Sequence, residues 1–295
     1  MAKAPRRPIG VAGRDLPALL AGLATVVLWG SAFVAIRAAS RTLAPGSIAL
    51  GRLLVSSAVL TVIALLRRER PPPRSALVPI VLFGLLFLCG YSVLLNSAER
   101  HVDAGTSAMI VNTGPILITL LAGTVLREGF PPGLLLGSAV ALAGCLVIGN
   151  ASKAHGSART GLALLTIATL AYATAVVFQK LALTRSTPFQ VTWIGCLAAT
   201  AACSPFTPTL AHQADGAADL AWLAYLGAMP TALGFVTWSY ALSRASAGRV
   251  ASLNYLIPIV AITLGWAYLG ERPPALALGG GGLCLLGVYI ARRRP

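Results

Sequence analysis

Two stretches of the sequence carry the same scarce residues in the same order, and their chemistry suits the binding of a small molecule. Asn112 precedes Pro115 in the first stretch, and Asn254 precedes Pro258 in the second. A proline has no backbone N–H and frees the carbonyl oxygen of the residue four positions earlier. Both prolines lie 11 residues into an apolar run, which is a depth of about 16 Å in a helix. We therefore predict a substrate site near the middle of a membrane, and a kink that serves only packing is the alternative.

Deep aromatic and amide side chains extend this predicted site. Trp29 and Tyr172 lie too deep in their apolar runs for the aromatic belt at a membrane surface. Tyr172 and Gln179 are seven residues apart, which places them on one face of a helix. Ordinary helix packing is the alternative for the two deep rings. We assign substrate binding to seven residues: Trp29, Asn112, Pro115, Tyr172, Gln179, Asn254 and Pro258.

Charged residues are nearly absent from the interior of the apolar runs. Arg52 is the one charge well inside a run, where it either reaches the lipid headgroups or attracts an anionic group of a substrate. All eight acidic residues and all three histidines lie at or beyond the ends of the runs. Coupling through a midplane carboxylate is therefore disfavoured, and facilitated or exchange transport is favoured. For Glu128 and Glu271 we expect pairing with Arg127 or Arg272, or a role in helix-end packing.

Motifs of enzyme chemistry are missing from the sequence. It contains neither H-E-x-x-H nor G-x-S-x-G, and no histidine lies at depth. An enzyme inside the bilayer would need a nucleophile and base or a metal motif. We therefore predict that the protein is not an enzyme and has no catalytic residue, metal or cofactor. The five cysteines lack C-x-x-C spacing and are expected to be small buried side chains, not a disulfide framework or zinc ligands.

The elements that must position these residues are membrane helices. Hydrophobic residues make up 57% of the chain and charged residues 11%, whereas soluble domains hold about 25% charged residues. Backbone groups in lipid must be satisfied within the segment, which a helix achieves. We predict an all-α integral membrane protein with ten transmembrane helices at 16–36, 47–66, 76–98, 104–126, 133–149, 161–181, 189–206, 220–242, 247–269 and 275–291.

The positive charge of the chain indicates its orientation and not a nucleic-acid partner. The formal net charge is +15, but the basic residues form short clusters between apolar runs and no stripe with interleaved aromatic residues. Sixteen of the 23 Lys and Arg residues lie on the side of the membrane that holds both termini, and six lie on the other side. We therefore predict a multi-pass protein of the inner or plasma membrane with both termini cytoplasmic.

The two halves of the chain repeat each other at a constant offset of 143 residues. Pro115 pairs with Pro258 and Trp29 with Tyr172 in this register. Five helices per unit is an odd number, so the second unit enters the membrane from the opposite side, as in inverted-topology repeats. The predicted divisions are a cytoplasmic tail, the first five-helix repeat, a connecting loop, the second five-helix repeat and a C-terminal tail, at 1–15, 16–149, 150–158, 159–292 and 293–295.

Glycine spacing predicts close contact between helices. Gly137 and Gly144 match Gly280 and Gly287 in the repeat register. Small residues let helix backbones approach one another, which fits either tight packing within the chain or a homodimer. The other expected partners are a small-molecule substrate and the lipid bilayer.

Several motifs resemble the EamA-like family of the drug/metabolite transporter superfamily. The run that begins at Trp29 reads W-G-S-A-F, which is similar to that family's opening W-G-S-x-F. Arg52 is similar to the arginine that is common in its second helix. The stretches 115–128 and 258–271 resemble its paired signatures of a proline followed by a glutamate, although Arg127 stands where glycine is usual.

The resemblance covers residues 16–149 and 159–292, and it implies a function. Members of this family have ten helices around a central cavity and export or exchange metabolites, amino acids or drugs. We therefore expect a secondary transporter that works by alternating access between the two repeats. A non-transporting membrane scaffold or receptor is the alternative.

Overall fold

Helices make up all the regular structure of the described residues. The computed structural model describes residues 16–98, 101, 111–150, 158–269 and 275–292. The α-helices are α1 Leu16–Ala39, α2 Pro45–Leu66, α3 Arg74–Phe83, α4 Ser92–Ala98, α5 Gly114–Val125, α6 Pro132–Asn150, α7 Ala158–Ala182, α8 Pro188–Ala202, α9 Thr207–Gln213, α10 Ala217–Leu226, α11 Gly234–Arg244, α12 Ala247–Ala251, α13 Ile257–Leu269 and α14 Ala275–Arg292. Two π-helices, π1 Gly84–Tyr91 and π2 Gly227–Leu233, and two 3₁₀ segments, Ser204–Phe206 and Ser252–Leu256, connect neighbouring α-helices.

Five helices in the described ranges are long and apolar enough to cross a membrane: Leu16–Ile36, Pro45–Leu66, Arg74–Ala98, Arg159–Ala182 and Ala217–Arg244. A sixth span exists if Pro188–Ala202 and Ser204–Gln213, which are bent by 53° relative to each other, are taken as one. The other apolar helices of the described part are shorter. The helical, multi-pass membrane architecture is thus confirmed, whereas the total of ten spanning helices stays a prediction. Residues 104–110 of the predicted fourth helix lie outside the described residues.

Prolines mark where several of these helices begin. Pro45 and Pro188 occupy the first turns of α2 and α8, where no intrahelical partner is lost by the missing N–H. At α8 the side chains of Thr187 and Gln190 also form a reciprocal capping box. Helix α8 ends earlier than predicted, because Pro205 cannot donate a helical hydrogen bond and its ring clashes with the preceding turn. The chain bends there into α9.

Two contacts join residues that are equivalent in the two halves. The hydroxyls of Ser57 and Thr200 lie 2.8 Å apart, and the Cys284 thiol lies 3.5 Å from the carbonyl oxygen of Ala141. Each pair differs by 143 positions, which is the repeat offset. A contact between equivalent residues lies on the axis that relates the two halves. The axis therefore passes between α2 and α8 and between α6 and α14.

Helices α6 and α14 cross with their backbones in contact. A Cβ on Gly137 would lie 2.5 Å from the carbonyl oxygen of Gly287, and a Cβ on Gly144 would lie 2.6 Å from that of Gly280. The first glycine of α6 thus contacts the later glycine of α14, and the second contacts the earlier one, so the two helices are antiparallel. The glycine pairs thus support packing within the chain. The homodimer stays a prediction.

The two π-helices begin at equivalent positions, Gly84 and Gly227. Gly84 packs on the carbonyl oxygen of Gly195, and a Cβ on Gly227 would lie 2.7 Å from that of Arg52. Gly195 and Arg52 are also 143 residues apart. The same close approach of a spanning helix to the central pair α2 and α8 therefore occurs in both halves. π-Helical turns often occur at functional sites.

Candidate functional site

An aromatic cluster fills the space between the two halves. Its rings come from α1, α3, π1, α7 and α11. Centroids of neighbouring rings lie 4.7 to 6.1 Å apart, at angles typical of edge and tilted packing. The rings are Trp29, Phe83, Phe87, Tyr91, Tyr172, Phe235 and Trp238. Phe87 is at the centre of this aromatic cluster, because it contacts rings from both halves.

Trp29 joins the first half to the second. Its ring centroid lies 5.1 Å from that of Phe235 and 5.2 Å from that of Trp238. Its Nε1–H donates a hydrogen bond of 3.1 Å to the carbonyl oxygen of Pro230. Pro230 lies inside π2, so the irregular backbone of this helix supplies the acceptor.

Tyr172 and Asn254 form a polar pair beside the aromatic cluster. The Asn254 Nδ2 donates a hydrogen bond of 2.6 Å to the Tyr172 hydroxyl. Both residues are buried, and within the described part of the chain the Asn254 Oδ1 has no hydrogen-bond partner. Leaving a buried acceptor unpaired costs about 1–3 kcal/mol. Such an atom therefore calls for a partner, and a ligand that donates a hydrogen bond is one.

Arg52 reaches across to the second half. Its Nε donates a hydrogen bond of 2.8 Å to the Thr231 hydroxyl, which in turn donates to the carbonyl oxygen of Leu226. The side chains of Tyr91 and Cys196 lie near the guanidinium. Among the described residues, no hydrogen-bond acceptor is paired with its two Nη atoms. The attraction of an anionic group to Arg52 stays a prediction.

Gln179 is held by neighbours other than the polar pair. Its Oε1 accepts a hydrogen bond of 2.9 Å from the Trp238 indole N–H, and its Nε2 donates one of 2.9 Å to the Ser239 hydroxyl. Ser239 continues the chain of hydrogen bonds to Thr192 on α8. Gln179 is fully buried. The structure therefore places it behind the aromatic cluster, where it orients Trp238.

The backbone near the polar pair departs from α-helical geometry next to both proline stretches. Asn112 is buried just before α5, and a Cβ on Gly114 would lie 2.5 Å from the Tyr172 ring. Pro115 is buried at the start of α5, and Pro258 is buried at the start of α13. The turn before α5 therefore lies against Tyr172, and the 3₁₀ segment Ser252–Leu256 leads into α13 just before Pro258.

Glu128 makes a second link between the halves. One carboxylate oxygen accepts a hydrogen bond of 2.7 Å from the backbone N–H of Ala247, at the start of α12. The other lies 3.8 Å from the Lys180 ammonium group. Helix-end packing is therefore the role of Glu128. Glu271 lies outside the described residues.

Several residues of the site were not predicted from the sequence. Phe83, Phe87 and Tyr91 recur every four residues and could have been found as an aromatic face of a helix. Thr231 and Trp238 had no such signal, because their roles depend on which helices pack together.

Apolar helices in two equivalent halves, closed over buried polar and aromatic side chains, define a multi-pass membrane protein of the small-molecule transporter class. The description "EamA-like transporter family" matches this sequence twice, over residues 16–150 and 159–293. The chain belongs to the EamA-like transporter family.

Similar proteins include named exporters. A protein of Streptantibioticus cattleyicolor, named as a probable terminal-alkyne amino-acid exporter, is 36% identical over 92% of this chain and 91% of its own length. A protein of Salmonella typhimurium, named as a probable amino-acid metabolite efflux pump, is 27% identical over 91% and 92%. A solved crystal structure has a TM-score of 0.79 over 93% of this chain and 96% of the other, at 19% identity, and so shows the fold alone.

Proposed function

We propose that this protein is a secondary transporter that exports amphipathic zwitterions, amino acids or close relatives, by alternating access. The observation that carries the proposal is that the two halves place opposite hydrogen-bonding capacities beside one aromatic cluster. Among the described residues, the Arg52 Nη donors of the first half and the Asn254 Oδ1 acceptor of the second half have no hydrogen-bond partner. The names of the two exporters support the same substrate class.

The proposed binding mode follows from these atoms. A carboxylate accepts hydrogen bonds from the Arg52 guanidinium, which is the stronger, charge-assisted kind. An ammonium group donates to the Asn254 Oδ1 and is attracted by the faces of the neighbouring aromatic rings. The apolar part of the molecule packs against Phe87 and Tyr91. Trp29 and Tyr172 border this site, whereas Gln179 supports it through Trp238.

Hydrogen bonds between the halves support an occluded state. At one end Glu128 accepts from the N–H of Ala247. At the other end the Gln213 side chain accepts from the N–H of Ala44 and from the Ser47 hydroxyl, each at 2.8 Å. In the proposed cycle the first contact opens toward one side of the membrane, and the second opens toward the other.

The proposed topology has ten spanning helices in two inverted repeats, 16–149 and 159–292, with both termini in the cytoplasm of a cell whose inner or plasma membrane holds the protein. The excess of Lys and Arg on that side supports this orientation. It places Glu128 at the cytoplasmic end and Gln213 at the outer end. No carboxylate lies in the described aromatic cluster or the polar pair, which supports exchange or facilitated transport over coupling through a central acid.

Counterflow into proteoliposomes tests the function. Liposomes that hold the purified protein are loaded with an unlabelled amino acid, and uptake of the labelled compound is followed. Phenylalanine, its decarboxylated amine and its N-acetyl derivative separate the two charges of the substrate. We expect counterflow of the zwitterion that exceeds counterflow of both derivatives. A protein that moves none of the three, or moves the amine best, does not have the proposed specificity.

Two substitutions test the assignment of the atoms. Arg52→Gln is expected to raise the KM for the zwitterion about ten- to a hundredfold, because a hydrogen bond to a charged group contributes about 1.5–3 kcal/mol. Asn254→Leu is expected to reduce the preference for a free ammonium group over the N-acetyl form. Arg159→Gln is the matched control, since Arg159 is exposed at the start of α7. An unchanged KM in Arg52→Gln contradicts the assignment.

A further inference from the structure

Two cysteine thiols from different halves of the protein are in contact. The Sγ atoms of Cys89 and Cys203 lie 3.1 Å apart, although 114 residues separate them in the sequence. Cys89 lies in π1, and Cys203 is the residue at which α8 ends and the chain bends. Cys89 is half-buried and Cys203 is buried. A disulfide bond needs an Sγ–Sγ distance of about 2.05 Å, so an approach of about 1 Å joins them.

The position of the thiol pair in the membrane favours oxidation. Cys89 is 15 residues beyond Arg74, where its spanning helix begins, which is about 22 Å along a helix. The hydrocarbon core is about 30 Å thick. In the proposed orientation Arg74 is at the cytoplasmic end, and the pair therefore lies in the outer third of the membrane. Disulfides persist on the outer side of cells, whereas the cytosol keeps thiols reduced.

We propose that Cys89 and Cys203 are a redox modification site, at which a reversible disulfide ties π1 of the first half to the α8 bend of the second half and stops the transport cycle. The effect on transport rests on the proposed function and the outer location of the pair rests on the proposed orientation, whereas the contact between the two thiols rests on neither. The equivalent positions in the repeat register carry Ala232 and Leu60. The thiol pair is therefore present at one of two equivalent places. The disulfide links the two halves near the outer side of the membrane.

The chemistry balances with a low-molecular-weight disulfide as oxidant. The more accessible Cys89 loses its proton, and its thiolate attacks one sulfur of the oxidant, whose other half leaves as a thiol after taking a proton. The Cys203 thiolate then attacks the Cys89 Sγ and breaks the mixed disulfide, which releases the second half of the oxidant as a thiol. Two protein thiols lose two electrons and two protons, and the oxidant gains them.

The experiment uses the full protein in proteoliposomes and dithiodipyridine, a small membrane-permeant disulfide. Proteolysis and mass spectrometry then look for a peptide that contains Cys89 joined to one that contains Cys203. We expect this joined product in the wild type, its loss on treatment with dithiothreitol, and release of both halves of the reagent per pair. A stable pyridyl adduct on Cys89, with no joined product, overturns the proposal.

Transport and stability are measured on the same samples. We expect oxidation to reduce counterflow to the level of protein-free liposomes and dithiothreitol to restore it. Cys89→Ala and Cys203→Ala are expected to keep their counterflow after the same treatment. The control is Cys284→Ala, which leaves the pair intact and lies at the contact of α6 with α14, and it should lose counterflow on oxidation. A joined product with unchanged counterflow contradicts the proposal that the disulfide stops the transport cycle.

The midpoint of thermal unfolding separates failure of the proposed disulfide from failure of the proposed transport function. If no sample transports any of the amino acids before oxidation, the proposed function fails while the joined product still tests the modification. This midpoint then reports whether the disulfide links the two halves. It is expected to rise on oxidation and to fall back with dithiothreitol in the wild type but not in Cys203→Ala. An unchanged midpoint in the wild type argues against a tether between the halves.

Discussion

Trp29 donates a hydrogen bond of 3.1 Å to the carbonyl oxygen of Pro230, and the equivalent pair in the other half, Tyr172 and Phe87, is a ring contact with 4.7 Å between centroids. Each member of the first pair is 143 positions from a member of the second. Equivalent pairs of helices, α1 with π2 and α7 with π1, therefore meet at equivalent places but with different chemistry. A symmetric scaffold thus supports an asymmetric site.

Other positions near the centre differ in the same way. Arg52 is equivalent to Gly195, Thr231 to Leu88, and Asn254 to Val111. The hydrogen-bonding groups of the site therefore come from one member of each pair. A zwitterion is also asymmetric, with one anionic and one cationic end. The asymmetry of the site therefore matches that of the proposed substrate.

The partner of Arg52 should affect substrate binding. In Thr231→Val the Nε of Arg52 loses its acceptor, and the guanidinium is free to turn away from the site. We expect a rise of about three- to tenfold in the KM for a zwitterionic amino acid. The rise is smaller than the full value of about 1.5–3 kcal/mol for a hydrogen bond to a charged group, because Thr231 orients the guanidinium and does not bind the substrate itself. Thr231→Ser keeps the hydroxyl and should restore the wild-type KM in counterflow assays. Equal KM values for the two variants contradict this role of Thr231.

The crossing of α6 and α14 should tolerate no side chain at its centre. In Gly144→Leu the new side chain meets the backbone of Gly280 and Cys284, which cannot move aside without separating the helices. We expect a destabilisation of about 1–3 kcal/mol or more, seen as a lower midpoint of thermal unfolding in detergent. The matched control is Gly282→Leu on the exposed side of α14, where no atom lies within 4 Å of an added Cβ. Similar midpoints for both variants would show that the contact is not tight.

Gln179 and Trp238 should be energetically coupled. Gln179→Met leaves the Trp238 indole N–H without its acceptor, and Trp238→Phe removes the donor. We expect the double variant to be more stable than the sum of the two single effects predicts, by about 0.5–2 kcal/mol, because hydrogen bonds between membrane helices lie in that range. A double-mutant cycle on thermal or denaturant unfolding measures this difference. A coupling energy near zero means that the hydrogen bond contributes nothing to stability.

Glu128 should matter more as an acceptor than as a charge. Glu128→Ala removes the partner of the Ala247 N–H and of Lys180, so we expect a loss of about 1–3 kcal/mol in the free energy of unfolding. Glu128→Gln keeps an oxygen for the N–H, and Lys180 still donates to the carbonyl oxygens of Leu242 and Ala245. The glutamine variant should therefore lie close to the wild type, as should Asp215→Ala, which removes an exposed acid. A glutamine variant as unstable as the alanine variant places the importance on charge.

The apolar runs and the repeat register could be read from the sequence. A segment that lies in lipid must be apolar and helical, so hydrophobicity alone predicts the spanning helices. Pro115 with Pro258 and Trp29 with Tyr172 revealed the register, because scarce residues rarely coincide by chance. Hydrophobicity and the repeat register are properties of the linear sequence, so they can be recognised without knowing which helices are in contact.

Contacts between distant helices required the tertiary structure. The acceptor of Arg52 is 179 residues away, the partner of Tyr172 is 82 residues away, and Cys203 is 114 residues from Cys89. Such pairs depend on the rotation and crossing of helices, which the periodicity of a single helix does not encode. Both π-helices begin at a glycine, Gly84 or Gly227, that packs against the backbone of a distant helix. The sequence by itself determined the apolar helices, because lipid requires segments that satisfy their own backbone, and it determined their repetition through scarce residues at one offset. Only the tertiary structure decided which polar atoms of the described residues lack a partner at the centre, because that depends on how distant helices pack.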